Sequence, residues 1–159
     1  MPNPLAPVPL DPLPFRLSVP GHDAVDGLEV VSISVKVEGL AYWAGGLLTL
    51  EWSETQHIDE VSFAAVRSDV VTQPPLAVDI EANQLSSALF KGGWWRPRIE
   101  LRARYLNVFG DVPGSKPGRL LLRIARRDRA LARLLVSHLT VAIANPQLAN
   151  PADQEGLAY

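Results

Sequence analysis

The 159-residue chain contains no cysteine. This excludes a disulfide scaffold, a thiolate zinc site and a cysteine nucleophile, and it fits a reducing compartment. Long apolar runs are also missing: no stretch approaches the roughly 20 consecutive apolar residues of a membrane span. Aromatic residues are sparse at 7%, and there is almost no net charge: 15 Lys/Arg against 17 Asp/Glu give −2, with a sequence pI near 5.9. Such a balance disfavours nucleic acid as a partner, and no recognition motif for it is present. What remains is 47% apolar and 20% charged residues in 17.3 kDa, the composition and size of one globular domain. A chain of this length buries roughly 68–70% of its unfolded surface and folds without a metal or disulfide staple.

Proline is abundant and uneven: seven of the 14 lie in residues 1–20. Proline lacks an N–H and fixes φ, so residues 2–15 are expected to form an extended, polyproline-like arm rather than a helix or a central strand. Unlike a polar tail, the arm carries Leu5, Val8, Leu10, Leu13 and Phe15. It is therefore expected to dock, either across its own domain or on a neighbouring subunit. With one Arg among these prolines, the first 20 residues do not read as a signal peptide.

Residues 28–126 read as strands. Val31, Ile33, Val35 and Val37 alternate with polar residues, and Leu48, Leu50 and Trp52 do the same after the turn signal Gly45-Gly46. Val61, Phe63 and Ala65 form a third alternating set, Leu76, Val78 and Ile80 a fourth. Ile99, Leu101, Ala103 and Tyr105 follow, with a phase change at Leu106 and Val108, and then Leu120, Leu122 and Ile124. One apolar and one polar face per strand is the pattern of an antiparallel sheet. Glu81–Phe90 reads as a weaker helical or irregular piece. The stretch Arg129–Ala144 has no Gly or Pro, follows a candidate cap at Asp128 and stops before Asn145-Pro146, so it is expected to be a helix. Leu131, Leu134, Leu135 and Leu139 are expected on its buried face. The domain reading is an arm at 1–27, a β domain with its helix at 28–144, and a tail at 145–159.

The small net charge conceals a split. Residues 1–90 hold 3 Lys/Arg and 12 Asp/Glu, whereas residues 91–133 hold 12 Lys/Arg and 3 Asp/Glu. Either the two sets neutralise one another across the sheet, or they form separate surfaces. The second case points to Arg98, Arg102 and Arg104, with Arg119, Arg123, Arg126 and Arg127 nearby, as an anion-attracting face. Beside them Trp94-Trp95 stands between Lys91 and Arg96; adjacent residues of an extended segment cannot both enter one core, so one indole is expected at the surface or under a loop.

Catalytic and metal signals are few. His22-Asp23 and His57-Ile58-Asp59-Glu60 offer nitrogen and oxygen donors without a visible third ligand, and His138 falls on the helix. Asp59 and Glu60 point to opposite faces of a strand. Residues 114–118 (GSKPG) lack phosphate-loop spacing, and no G-x-S-x-G occurs. No cofactor, metal or catalytic residue is assigned.

The order of elements, six or seven antiparallel strands followed by one amphipathic helix, resembles the pleckstrin-homology (PH)-like superfold, including its bacterial members. Residues 46–52 and 58–67 look like a strand, a turn and the next strand of such a domain, 97–108 and 118–125 like its last two strands, and Asp128–Ala144 like its closing helix. The resemblance implies a mostly β, antiparallel half-open barrel of about seven strands closed by the helix; a β-sandwich with a terminal helix is the alternative. The proline arm and residues 70–93 fall outside the minimal fold. Lipid-binding members carry basic residues in the loop between their first two strands, and the matching Tyr42–Gly46 has none.

Three functions follow as expectations. The first is a non-enzymatic binding or assembly module, cytoplasmic and self-associating, that contacts protein. The second is a peripheral module on anionic membrane surfaces through Lys91, Trp94, Trp95, Arg96, Arg98, Arg102 and Arg104. The third is a small hydrolase or ligand-binding barrel, for which no residues stand out.

Overall fold

A computed structural model describes residues 9–145. Its strands are β1 (Leu13–Ser18), β2 (His22–Asp26), β3 (Glu29–Ala44), β4 (Leu47–Val61), β5 (Val66–Thr72), β6 (Leu76–Glu81), β7 (Leu85–Lys91), β8 (Arg98–Ala103) and β9 (Arg119–Arg123), followed by helix α1 (Arg129–Ala144). All strand pairs are antiparallel, in a single sheet.

The axis is the long β3–β4 hairpin, paired without a break from Ala44↔Leu47 to Val30↔Val61. Leu48, Leu50 and Trp52 thus share one strand with Val61, the first member of the third alternating set. Its outer neighbours are both interrupted. β1 and β2 share the free edge of β3 and are separated by Val19-Pro20-Gly21; β5 and β6 share the free edge of β4 and are separated by Gln73-Pro74-Pro75. Proline cannot donate to a ladder, so it is accommodated where an edge strand breaks.

These breaks divide the sheet into two levels. The body runs β6-β4-β3-β1-β9-β8-β7. Beyond it, the far halves of β3 and β4 continue between β2 and β5 as a four-stranded blade. The blade accounts for nine strands where about seven were expected. Between β3 and β1 the chains come close: Phe15 lies opposite Gly39, where a Cβ would collide with the Phe15 ring and with the Glu51 carbonyl, so only glycine fits.

Side chains of the body alternate as the sequence pattern requires. Leu13, Phe15 and Leu17 point inward from β1, Leu48, Leu50 and Trp52 from β4, Ile99 and Leu101 from β8. The sheet does not close into a barrel. Helix α1 packs on β7 and on the short 3-10 turn Ala82–Gln84 that links β6 to β7, burying Ala132, Leu135, Leu139 and Ala142.

Five expectations are corrected. Residues 13–26 are not part of an arm but form β1 and β2. Pro14 is tolerated in β1 because the strand meets β9 only at Arg16↔Arg123, and its ring faces outward. Leu13 and Phe15 are therefore core residues, not docking residues; Leu10 is half-buried, and Leu5 and Val8 lie outside the described residues. Leu134 is 49% exposed, because the stripe that meets β7 is centred on Ala132, Leu135 and Leu139, with Leu131 at its margin. Glu81–Phe90 is a turn and strand β7: pairing with β8 and cover by α1 override its helical composition. Strand β8 stops at Ala103, and the long connection to β9 turns back so that Phe109 and Val112 enter the core.

Candidate functional site

The β7–β8 connection is a tight turn in which the Arg96 N–H donates to the Gly92 carbonyl at 3.3 Å. Gly92 has φ +87°, and a Cβ there would strike the Arg96 carbonyl, so the turn depends on glycine. It carries both tryptophans outward, Trp94 at 58% and Trp95 at 70% exposure. One indole was expected at the surface or under a loop; both are at the surface, and neither covers the core. Both are instead backed by arginine. The Arg129 guanidinium lies 3.7 Å from the Trp94 ring centroid, and that of Arg126 lies 4.4 Å from Trp95. Arg133 stands 5.0 Å from Phe90. Contacts of this kind are worth about 0.5–1 kcal/mol each at exposed sites. They hold the indoles against the start of α1 and leave a basic, aromatic surface.

The remaining cations expected at this surface separate into two groups. Arg96 and Arg98 are exposed. Lys91, Arg102 and Arg119 are committed to Glu100, which is 1% exposed on the outward side of β8. Lys91 Nζ donates to Oε2 at 2.9 Å, Arg102 Nε to Oε1 at 2.7 Å and Arg119 Nη2 to Oε2 at 2.9 Å. The Lys91 bond, helped by both arginines and opposed by burial, holds the Glu100 carboxyl at about 2, below its ordinary 4.5. Arg104 Nε donates to the Leu85 carbonyl at 3.1 Å. Lys91, Arg102 and Arg104 thus brace the sheet.

A second surface was not anticipated. Along the blade, Val25, Val30, Val61 and Val66 are direct cross-strand neighbours and form one row over all four strands, every member exposed. Leu28 and Phe63, the latter 95% exposed, sit in the two turns at the tip. Phe63 belongs to a turn, not to the alternating strand the sequence suggested. Six carboxylates surround this apolar row (Asp23, Asp26, Glu29, Asp59, Glu60 and Asp69) against one cation, Arg67.

The two charge sets do not neutralise each other. Every ion pair among the described residues joins groups within residues 16–69 or within 91–128. Register explains why. The row Lys91–Arg98–Arg123–Arg16–Glu38 crosses the body. From that row the tryptophan turn lies towards the Gly45-Gly46 end of the hairpin, and the blade lies the opposite way. Glu38 to Val30 alone is eight residues of strand, about 26 Å at ~3.3 Å each.

Other groups are dispersed. His22 and His57 fall on opposite faces of the blade, since His22 pairs with Ile33 and His57 with Ser34. A groove of about 350 Å³ at the β5–β6 break is lined by Trp52, Glu54, Gln56, Gln73, Pro74 and Leu76, with Glu54 its one acid. Among the described residues no helix is long and apolar enough to cross a membrane. No family model, curated protein or solved structure matches the chain.

Proposed function

We propose that this chain is a non-enzymatic, PH-like binding and assembly module that works through protein contacts and associates with itself. The PH-like reading is supported by the body: β1, β3, β4 and β6 run as one meander, β7, β8 and β9 as another that returns to β1, and a helix follows the last strand. One observation carries the functional reading. An exposed apolar row ringed by carboxylates stands at one end of the sheet, and exposed tryptophans among arginines stand at the other. Contiguous apolar surface of this kind marks interaction sites, and opposed charge favours a partner that presents the complement. Light scattering on the full chain is expected to give a mass above 17.3 kDa that rises with protein concentration in about 50 mM salt and falls towards the monomer in about 500 mM salt. A monomer at every concentration and salt would overturn this reading.

The second reading, an anionic membrane surface as the partner, is favoured by the two exposed indoles beside Arg96 and Arg126, a composition suited to the headgroup region. It predicts that the chain co-sediments with acidic vesicles at low salt and that Trp94→Ala with Trp95→Ala abolishes this. Protein left in the supernatant at low salt removes that reading.

A further inference from the structure

We infer that self-association is head-to-tail: the acidic, apolar blade of one copy docks on the Trp94–Trp95 end of the next. This rests on the assembly reading above and names its interface. The occupant is a second copy because each surface supplies what the other lacks. The blade offers exposed Val25, Val30, Val61, Val66 and Phe63 with six carboxylates, and the opposite end offers two exposed indoles with Arg96, Arg126 and Arg127. Pairing blade with blade would bring carboxylates together, and pairing end with end would bring guanidiniums together. Like-charge juxtaposition is costly, so a twofold contact through either surface is selected against. Contact within one molecule is excluded by the register, which sends the two surfaces to opposite ends of the sheet. A heterologous contact of this kind repeats from copy to copy and builds a ring or a filament.

A complementation experiment tests this geometry. One variant damages the blade (Phe63→Ser with Glu60→Lys) and the other the opposite end (Trp95→Ser with Arg126→Glu); all four side chains are exposed, so the core is untouched. Each variant alone is expected to be monomeric by light scattering. An equimolar mixture is expected to form a species of twice the 17.3 kDa chain mass and stop there, because only one intact blade meets one intact end. A roughly tenfold or greater loss of association between about 50 and 500 mM salt is expected for the wild type. Variants that self-associate like the wild type, or a mixture that stays monomeric while the wild type assembles, would overturn the head-to-tail contact and leave the assembly reading standing. A monomeric wild type would overturn both.

The absence of cysteine provides a second measurement that does not depend on the charge variants. Copies carrying Phe63→Cys and Trp95→Cys, mixed and oxidised, are expected to give the 63–95 crosslink well beyond the excess over 63–63 and 95–95 that random pairing of the two copies produces. Yields at or below the random-pairing ratio would count against the contact.

Discussion

Replacing Leu139 by Ala is expected to lower stability by about 2–5 kcal/mol, the range for deleting a fully buried leucine, whereas Leu134→Ala should stay within about 0.5 kcal/mol. The two leucines are five residues apart on α1, about 140° around the helix at ~100° per residue. Leu139 is buried in the contact with β7 and the body core, and Leu134 faces away from it. Part of the Leu139 penalty is transfer of apolar atoms, and part is the cavity left where β7 and α1 cannot collapse together. Denaturant midpoints measure the difference, with an unchanged slope showing that both variants unfold as the wild type does. Equal losses for the two variants would mean that α1 packs through a different face.

That contrast also shows where the sequence was informative. Periodicity of two located the body strands, because inward residues such as Leu48, Leu50, Ile99 and Leu101 must be apolar when one face is buried. The same rule failed for Phe63 and Val61. Alternation reports which side chains could share a face, not whether anything covers that face, and in the blade nothing in the described chain does. Proline misled in the opposite direction. Pro12 and Pro14 argued for a free arm, yet one missing donor is tolerated where β1 has a single bridge to β9. Leu134 was misplaced because four leucines in nine residues satisfy more than one helical stripe, and only Ala132, small and inconspicuous, shows which stripe is buried.

The candidate site was half legible. The charge split is visible by counting, and Trp94-Trp95 stands out between basic residues. Arg126, Arg129 and Arg133 are spaced i, i+3 and i+7, the spacing of one helix face, so their alignment with Phe90, Trp94 and Trp95 had a local signal. Glu100 had none. Its neighbours in sequence suggested an ordinary outward residue on an alternating strand. Its burial follows from register, which sets Leu89 and Leu121 on either side of it, and from cations contributed by three strands.

Glu100 consequently makes a strong prediction about acid stability. Its folded carboxyl titrates near 2 while the unfolded chain has the ordinary 4.5, so the anion is favoured by folding. For a depressed carboxyl the contribution is fully present above the unfolded value and disappears as pH falls through the folded one, here between about 4.5 and about 2. Glu100→Gln removes the charge and leaves Lys91, Arg102 and Arg119 facing one another. Breaking a fully buried pair costs about 3–5 kcal/mol; these three cations are partly exposed and regain water, so about 2–4 kcal/mol is expected at neutral pH. The stability gap between wild type and Glu100→Gln, measured by denaturant melts across pH, should be constant from pH 7 to about 5 and shrink steadily towards pH 2. Contributions common to the two proteins cancel in the difference. A gap that stays constant down to pH 2 would show that the carboxylate charge does not hold β7, β8 and β9 together, and that the cost of the variant lies in packing.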